Sequence, residues 1–367
     1  MNYSHKYTLL DGLRGIAAIC VCMLHSPMIF YHSDNSLPHA SLAVDFFFCL
    51  SGFVIAHAYG EKLLGKISIK QFIQVRIVRL YPLVLLSLAI AGPGYMYKAY
   101  STNFLPVADA ALILISTLFL IPLGLVYGQQ AFPPNNPLWS IFFEIFINVI
   151  YAAAQKFHLN KSVYIAILLT SSILLGYCIY ATPGGINLIG FNNYQSFLFG
   201  FIRVTYPFLA GILLYQIKPR VIDGGVFASL LISASLCLML LNKFPIDSYI
   251  YDITCSIIVI PLIVYFGCSV KISGKLSKLF NFFGNISYPL YLLHSPIAKS
   301  IKVACEKLHI MQNHLFILMT ISLLVSIVLA YAALQLIDIP VRKWLSDKIK
   351  NTSPSELSPK NSIQKQT

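Results

Sequence analysis

Eleven apolar stretches of helix length follow one another along this chain, and they exclude nearly every fold except one built inside a lipid bilayer. They fall at approximately 9–30, 41–60, 81–97, 108–127, 138–155, 162–181, 197–217, 225–242, 250–269, 285–303 and 315–337. A soluble domain carries about 25% charged residues. This chain of 367 residues carries 11%, with 57% hydrophobic residues and a mean hydropathy of +0.74. Hydrocarbon offers no water to exposed backbone groups, so a spanning segment must close its own hydrogen bonds as a helix. The expected fold is therefore all-α, a polytopic membrane helix bundle.

Orientation follows from the basic residues. Lys62, Lys66, Lys70, Arg76 and Arg79 lie between the second and third stretches, whereas residues 31–40 carry no lysine or arginine. The positive-inside rule puts the amino terminus and residues 61–80 in the cytoplasm. Lys156 with Lys161, Lys218 with Arg220, the trio Lys271, Lys275 and Lys278, and finally Arg342, Lys343, Lys348 and Lys350 then fall in the cytoplasm if residues 128–137 lie outside. That parity allows one net crossing between Leu80 and Gly128. It gives about ten transmembrane helices plus one re-entrant or broken apolar segment, which Gly92, Pro93 and Gly94 assign to 81–97. The chain is expected in the cell (cytoplasmic or inner) membrane with both termini cytoplasmic. Residues 1–345 would form the transmembrane domain and 346–367 a polar, disordered tail. Asp11 and Arg14 interrupt the apolar run that a cleavable signal peptide would need. The eight cysteines sit in or beside apolar runs without CxxC spacing, which reads as embedded thiols and no metal site. The net charge of +13 is spent on orientation, and nucleic-acid binding is not expected.

Ionisable groups inside membrane-length segments are costly and mark function by default. The first stretch, LDGLRGIAAICVCMLHS, holds Asp11, Arg14 and His25. Eleven positions of helix place Arg14 and His25 about 20° apart on one face and ~16 Å apart along the axis. A lone histidine there is more often a packed one, and Arg14 has an ordinary role in pairing Asp11. Asp45, near the outer end of the second stretch, lies at a depth similar to His25. It either orients the imidazole or caps the helix. Ser51 and Gly52 suit a close helix contact, and His57 reads as structural. In ISIKQFIQVRIVRLYP, expected as a helix on the cytoplasmic surface, Arg76 falls within the apolar arc and Arg79 at its edge. Anionic lipid is the ordinary partner of such a pair, but lipid contact would favour the wet flank, and two guanidiniums at i and i+3 make a bidentate clamp for phosphates.

NNPLWSIFFEIFIN opens the fifth stretch, with Asn136 as N-cap and Pro137 at the first helical position. Ser140, Glu144 and Asn148 repeat at i, i+4 and i+8 as a polar stripe. Trp139 reads equally as an interfacial belt residue. Glu144, the sole charge of its span, is expected to face His25 or a substrate hydroxyl. Arg203 needs a buried carboxylate or carbonyl, and a packing ion pair is its favoured role. In GNISYPLYLLHSPI, Ser287, Tyr291 and His294 share one face at i, i+4 and i+7, with Pro289 in the first turn. Such a stripe also arises simply to bond helices together.

These motifs in this order, Arg-x10-His, FFFCLSGF, RIVRLYP, PLWSIFFE and NISYPLYLLH, resemble the acyltransferase 3 family of membrane O-acyltransferases from about Leu9 to Trp344. The resemblance implies an acyl-CoA donor, acetyl-CoA in the first instance, held by Arg76 and Arg79 with Arg14. It implies His25 as catalytic base or transient acyl carrier, with Glu144 and Asp45 beside it. Trp139, Ser140, Ser287, Tyr291 and His294 would line a substrate tunnel. The acceptor would be a saccharide or lipid-linked glycan of the envelope, met among membrane lipids. The aromatic pair often found after the family's glutamate is replaced here by IFINV. The rival function is a transporter or exporter of a polar envelope precursor, since Arg, Glu and His also mark substrate paths. No internal repeat or paired broken helices accompany them.

Overall fold

The computed structural model describes residues 7–31, 37, 39–217, 225–242, 248–308 and 315–352. Lys218, Arg220 and the tail beyond Thr352 lie outside the described residues. Among those described there are no strands. The helices are α1 (Thr8–Tyr31), α2 (Leu42–Gly65), α3 (Ile69–Thr102), α4 (Val107–Leu118), α5 (Leu138–Lys156), α6 (Lys161–Ala181), α7 (Tyr194–Ile217), α8 (Gly225–Leu241), α9 (Ser248–Thr254), α10 (Ile260–Ser269), α11 (Gly274–Lys307), α12 (Leu315–Ala333) and α13 (Ile339–Thr352). A π-helical turn at Cys255–Val259 makes α9 and α10 one rod, and another at Leu334–Asp338 does the same for α12 and α13. Eight segments are long and apolar enough to cross a membrane. With α8 at 17 residues and α11 at 34, ten described rods reach crossing length, the number that the charge pattern demands.

The stretch that fails to cross is one place further along than the Gly-Pro-Gly sequence indicated. Residues 69–102 form a single helix of 34 residues straight through Pro93, and it also absorbs the segment expected as a separate surface helix. Ser68 starts it with a capping box, its hydroxyl accepting from Gln71 N at 3.2 Å while Gln71 Oε1 accepts from Ser68 N at 2.7 Å. Pro93 removes only one backbone bond, and Gly92 beside it lies against Leu114 of α4, which covers the site. The fourth stretch instead yields a helix of 12 residues, ~18 Å long. It stops where Leu120 turns left-handed, at φ 55°, ahead of Pro122. Pro289 lies well inside α11 rather than in its first turn, and α13 carries helix to Thr352 where residues 346–352 were expected to be disordered.

Two close pairs frame the interior. Helix α1 runs parallel to α11, Gly12 against the Phe280 ring and Gly15 against the Phe283 backbone. Helix α2 runs beside α7, where a Cβ on Gly52 would overlap the Phe208 carbonyl and one on Gly211 the Cys49 carbonyl. Backbone cannot yield as a flexible side chain does. Gly52→Val is therefore expected to cost about 1–3 kcal/mol, read as a lower thermal unfolding midpoint of the detergent-solubilised protein. An unchanged midpoint would mean that these helices separate freely.

Candidate active site

The polar stripe of α11 meets a different partner at each step. Arg14 Nε donates to Ser287 Oγ at 2.8 Å and Arg14 Nη2 to the Gly284 carbonyl at 2.7 Å. The same nitrogen lies 3.4 Å from Asp11, the short-range pair that the sequence suggested. One turn on, the Tyr291 hydroxyl is 2.8 Å from Ser140 Oγ of α5. Another turn on, His294 Nε2 lies 3.0 Å from His25 Nδ1 of α1.

The backbone fixes the protons of that imidazole pair. His25 Nδ1 is 3.1 Å from the Val21 carbonyl, and His294 Nδ1 is 3.1 Å from the Leu290 carbonyl. A carbonyl only accepts, so each Nδ1 carries a proton. His294 Nε2 then holds a lone pair that receives part of the His25 Nδ1–H. The lone pair of His25 is left on Nε2. His294 is itself held in place: Pro296 leaves the Leu292 carbonyl without its helical donor, and Asn135 Nδ2 supplies one at 3.0 Å.

A cleft of about 800 Å³, its open mouth included, begins beside Arg14 and is lined also by Arg76, Arg79, Glu144, Ser140, Ser287 and Tyr291. Three guanidiniums face one carboxylate, so the lining is cationic. Arg76 pairs with Glu144, which also accepts from Ser51 Oγ at 3.1 Å. Arg76 is 6% exposed, and its Nε is buried without a hydrogen-bond partner. Arg79 is exposed. The cleft ends at Tyr291, whose ring stands 5.5 Å from Phe47 and 6.1 Å from His294. Neither imidazole lines it.

Two expected neighbours of the chemistry lie outside the cleft, and a third lines it without meeting His25. Asp45 does not approach His25: it is 2.7 Å from Arg203 Nη2, and both side chains are 0% exposed. Arg203 also donates to the carbonyls of Ser41, Ile186 and Ile189, so this pair ties α2 and α7 to the 182–193 loop. An arginine at 0% exposure takes the Asp45 carboxylate, and His294 takes the place beside His25. Trp139 stacks on Arg203 at 5.1 Å and is absent from the cleft lining. Glu144 bonds Arg76 and Ser51 at the guanidinium level and does not bond His25. Asn136 is displaced as N-cap by Pro137.

Sequence reasoning passed over a further buried pair, His39 with Asp252 at 2.7 Å. Its signal was the one used for Glu144: Asp252 is the only charge in the ninth stretch.

Fold and cleft together define an integral membrane helix bundle with a cleft between its helices lined by three arginines and one glutamate. Residues 7–334 match the acyltransferase domain family, and the chain belongs to that family. Among curated relatives, it is 36% identical over 159 residues to protein 2 of the picA locus of Rhizobium radiobacter, 40% of this chain and 81% of that protein. It is 24% identical over 372 residues to the O-acetyltransferase OatA of Staphylococcus aureus, 93% of this chain and 58% of OatA. A third relative, from the COL strain of that species and also named for O-acetyl transfer, is 27% identical over 313 residues, 78% of this chain and 49% of its own. The chain thus spans about half the length of the staphylococcal relatives. No solved structure matches it.

Proposed function

We propose that the chain is an integral membrane O-acyltransferase that moves an acetyl group from acetyl-CoA to a hydroxyl of an envelope or exported glycan. One observation carries this reading: the parallel pair α1 and α11 bears a guanidinium level at Arg14 and Ser287 and an imidazole level at His25 and His294, with Tyr291 and Ser140 between. The donor's phosphates would be held by Arg76, Arg79 and the remaining terminal nitrogen of Arg14, with Glu144 keeping Arg76 aligned. The thioester would then reach past Tyr291 toward His25, ~16 Å from Arg14.

The acceptor hydroxyl would give its proton to His25 Nε2 as its oxygen attacks the thioester carbonyl. The tetrahedral intermediate expels the CoA thiolate, which takes the proton back from the imidazolium. His294 is a positioning residue, its lone pair accepting from Nδ1–H and steadying the charged ring. Three guanidiniums in one cleft favour this reading over a polar exporter, whose cargo would not need a phosphate clamp. The positive-inside rule supports a cytoplasmic guanidinium end with both termini inside the cell.

The test is purified protein in detergent with labelled acetyl-CoA. CoA release is the expected result, and Arg76→Ala should raise the acetyl-CoA KM at least about tenfold, the worth of a charge-assisted bidentate contact. Substrate movement across vesicles without thioester consumption would establish the transporter instead.

A further inference from the structure

The phenylalanines near the start of α2 face two ways. Phe46 is buried in the core, whereas Phe47 and Phe48 line the cleft. Val44, Phe47 and Phe48 recur at i, i+3 and i+4 on one face of α2, and Ser51 continues that face at i+7. Ser51 bonds Glu144 at the guanidinium level, so Val44 stands ~10.5 Å further along the axis. Over that distance the α2 side of the cleft changes from hydroxyl to hydrocarbon, and Ile141, one turn of α5 before Glu144, adds to the apolar lining. A site built for charge at one end therefore closes around apolar side chains at the other. Two rings bound that closed end. The Tyr291 hydroxyl, 2.8 Å from Ser140 Oγ, fixes its ring, and the Phe47 ring meets it at 86° with centroids 5.5 Å apart. The Tyr291 ring stands 6.1 Å from His294, and Phe47 also packs against the cluster of Ala18, Cys22, Leu290 and Ala330. Cys22 lies one turn of α1 before His25. The two rings thus form the partition between the cleft and the imidazole pair.

We propose that Phe47, braced by Tyr291, sets the length of the transferred acyl group: the partition admits acetyl and refuses butyryl and longer chains. The proposal rests on the acyltransferase reading and names the class of thioester the site takes. A donor whose phosphates lie at the guanidiniums directs its acyl end along the cleft toward these rings, and its terminal carbon meets Phe47. A methylene that finds apolar surroundings gains about fourfold in binding, and one that meets a fixed ring loses that gain. Filling space is the ordinary role of such a ring. Filling alone would make its truncation lower the use of every thioester equally.

The experiment compares acetyl-CoA with butyryl-CoA on the full chain in detergent, reading kcat/KM for CoA release and, apart from it, the Kd of each thioester in competition with labelled CoA. Wild-type protein should prefer acetyl-CoA in both. Phe47→Ala should raise the butyryl-to-acetyl ratio about tenfold or more, the worth of two methylenes. Phe47→Leu should raise it less, and because it keeps a branched apolar side chain against the α1 and α11 cluster it carries the test if the alanine variant does not fold. Val54→Ala, which lines the same cleft at the guanidinium end, should leave the ratio alone. A wild-type protein that takes both thioesters equally overturns the proposal. So do Phe47 variants that lower both in proportion, which would make the ring a packing residue, and a Val54→Ala variant that moves the ratio as far as Phe47→Ala. Wild-type protein that binds acetyl-CoA more tightly than butyryl-CoA yet releases no CoA would overturn the transferase reading while leaving the length limit at Phe47 standing.

Discussion

His25→Ala should lower acetyl transfer by about 10²–10⁴-fold, the range for losing a general base. The acetyl-CoA KM should hardly move, because the donor's phosphates are assigned to guanidiniums ~16 Å away along α1. His294 provides the sharper test, since it is argued to act through its neighbour. Its Nε2 accepts from His25 Nδ1–H at 3.0 Å. His294→Gln keeps an acceptor oxygen, so it should retain more kcat than His294→Leu at an unchanged KM and unfolding midpoint. If the two variants fall equally, the lone pair is irrelevant and His294 merely fills space. Full turnover by His25→Ala would remove the imidazole from the chemistry altogether. Acid-quenched protein that retains labelled acetyl in the absence of acceptor, and loses it in His25→Ala, would make His25 an acyl carrier instead of a base.

The bundle was legible because hydropathy and basic residues act through the solvent, and the solvent's rules are one-dimensional. The number of crossings survived even though the wrong stretch was chosen as the weak one. Gly92, Pro93 and Gly94 look like a break in isolation. Whether a proline breaks a helix depends on what covers it, and Leu114 is twenty-one residues further along. The face arguments held for the same reason that helix periodicity is local. Arg14 with His25, and Ser287 with Tyr291 and His294, do share sides. Choice of partner was not legible, because it is a competition across the bundle. Asp45 reads against His25 or as a helix cap, Arg203 needs an unnamed carboxylate, and nothing in the sequence joins the two. Gly190, at φ 112° against the Trp139 ring, helps decide it by letting the loop carbonyls close over the guanidinium.

Breaking that pair should be the most destabilising single change in the chain. Asp45→Ala strands the Arg203 guanidinium at 0% exposure, and removing one partner of such a pair costs about 3–5 kcal/mol. Arg203→Met strands the carboxylate and should cost a similar amount. Changing both together, Asp45→Leu with Arg203→Met, leaves no buried charge and should recover most of the loss, although the carbonyls of Ser41, Ile186 and Ile189 still lose their donor. The recovery separates two roles for Asp45. If it acted on His25, Asp45→Asn would cut kcat while the unfolding midpoint stayed put, and the double change would be as inactive as the worse single one. If it is an anchor, midpoint and expression fall first, and activity per folded molecule returns with the compensating substitution. Thermal unfolding in detergent beside acetyl-CoA turnover on these four variants distinguishes the outcomes. The 0% exposure of both side chains, walled off from the cleft, favours the anchor.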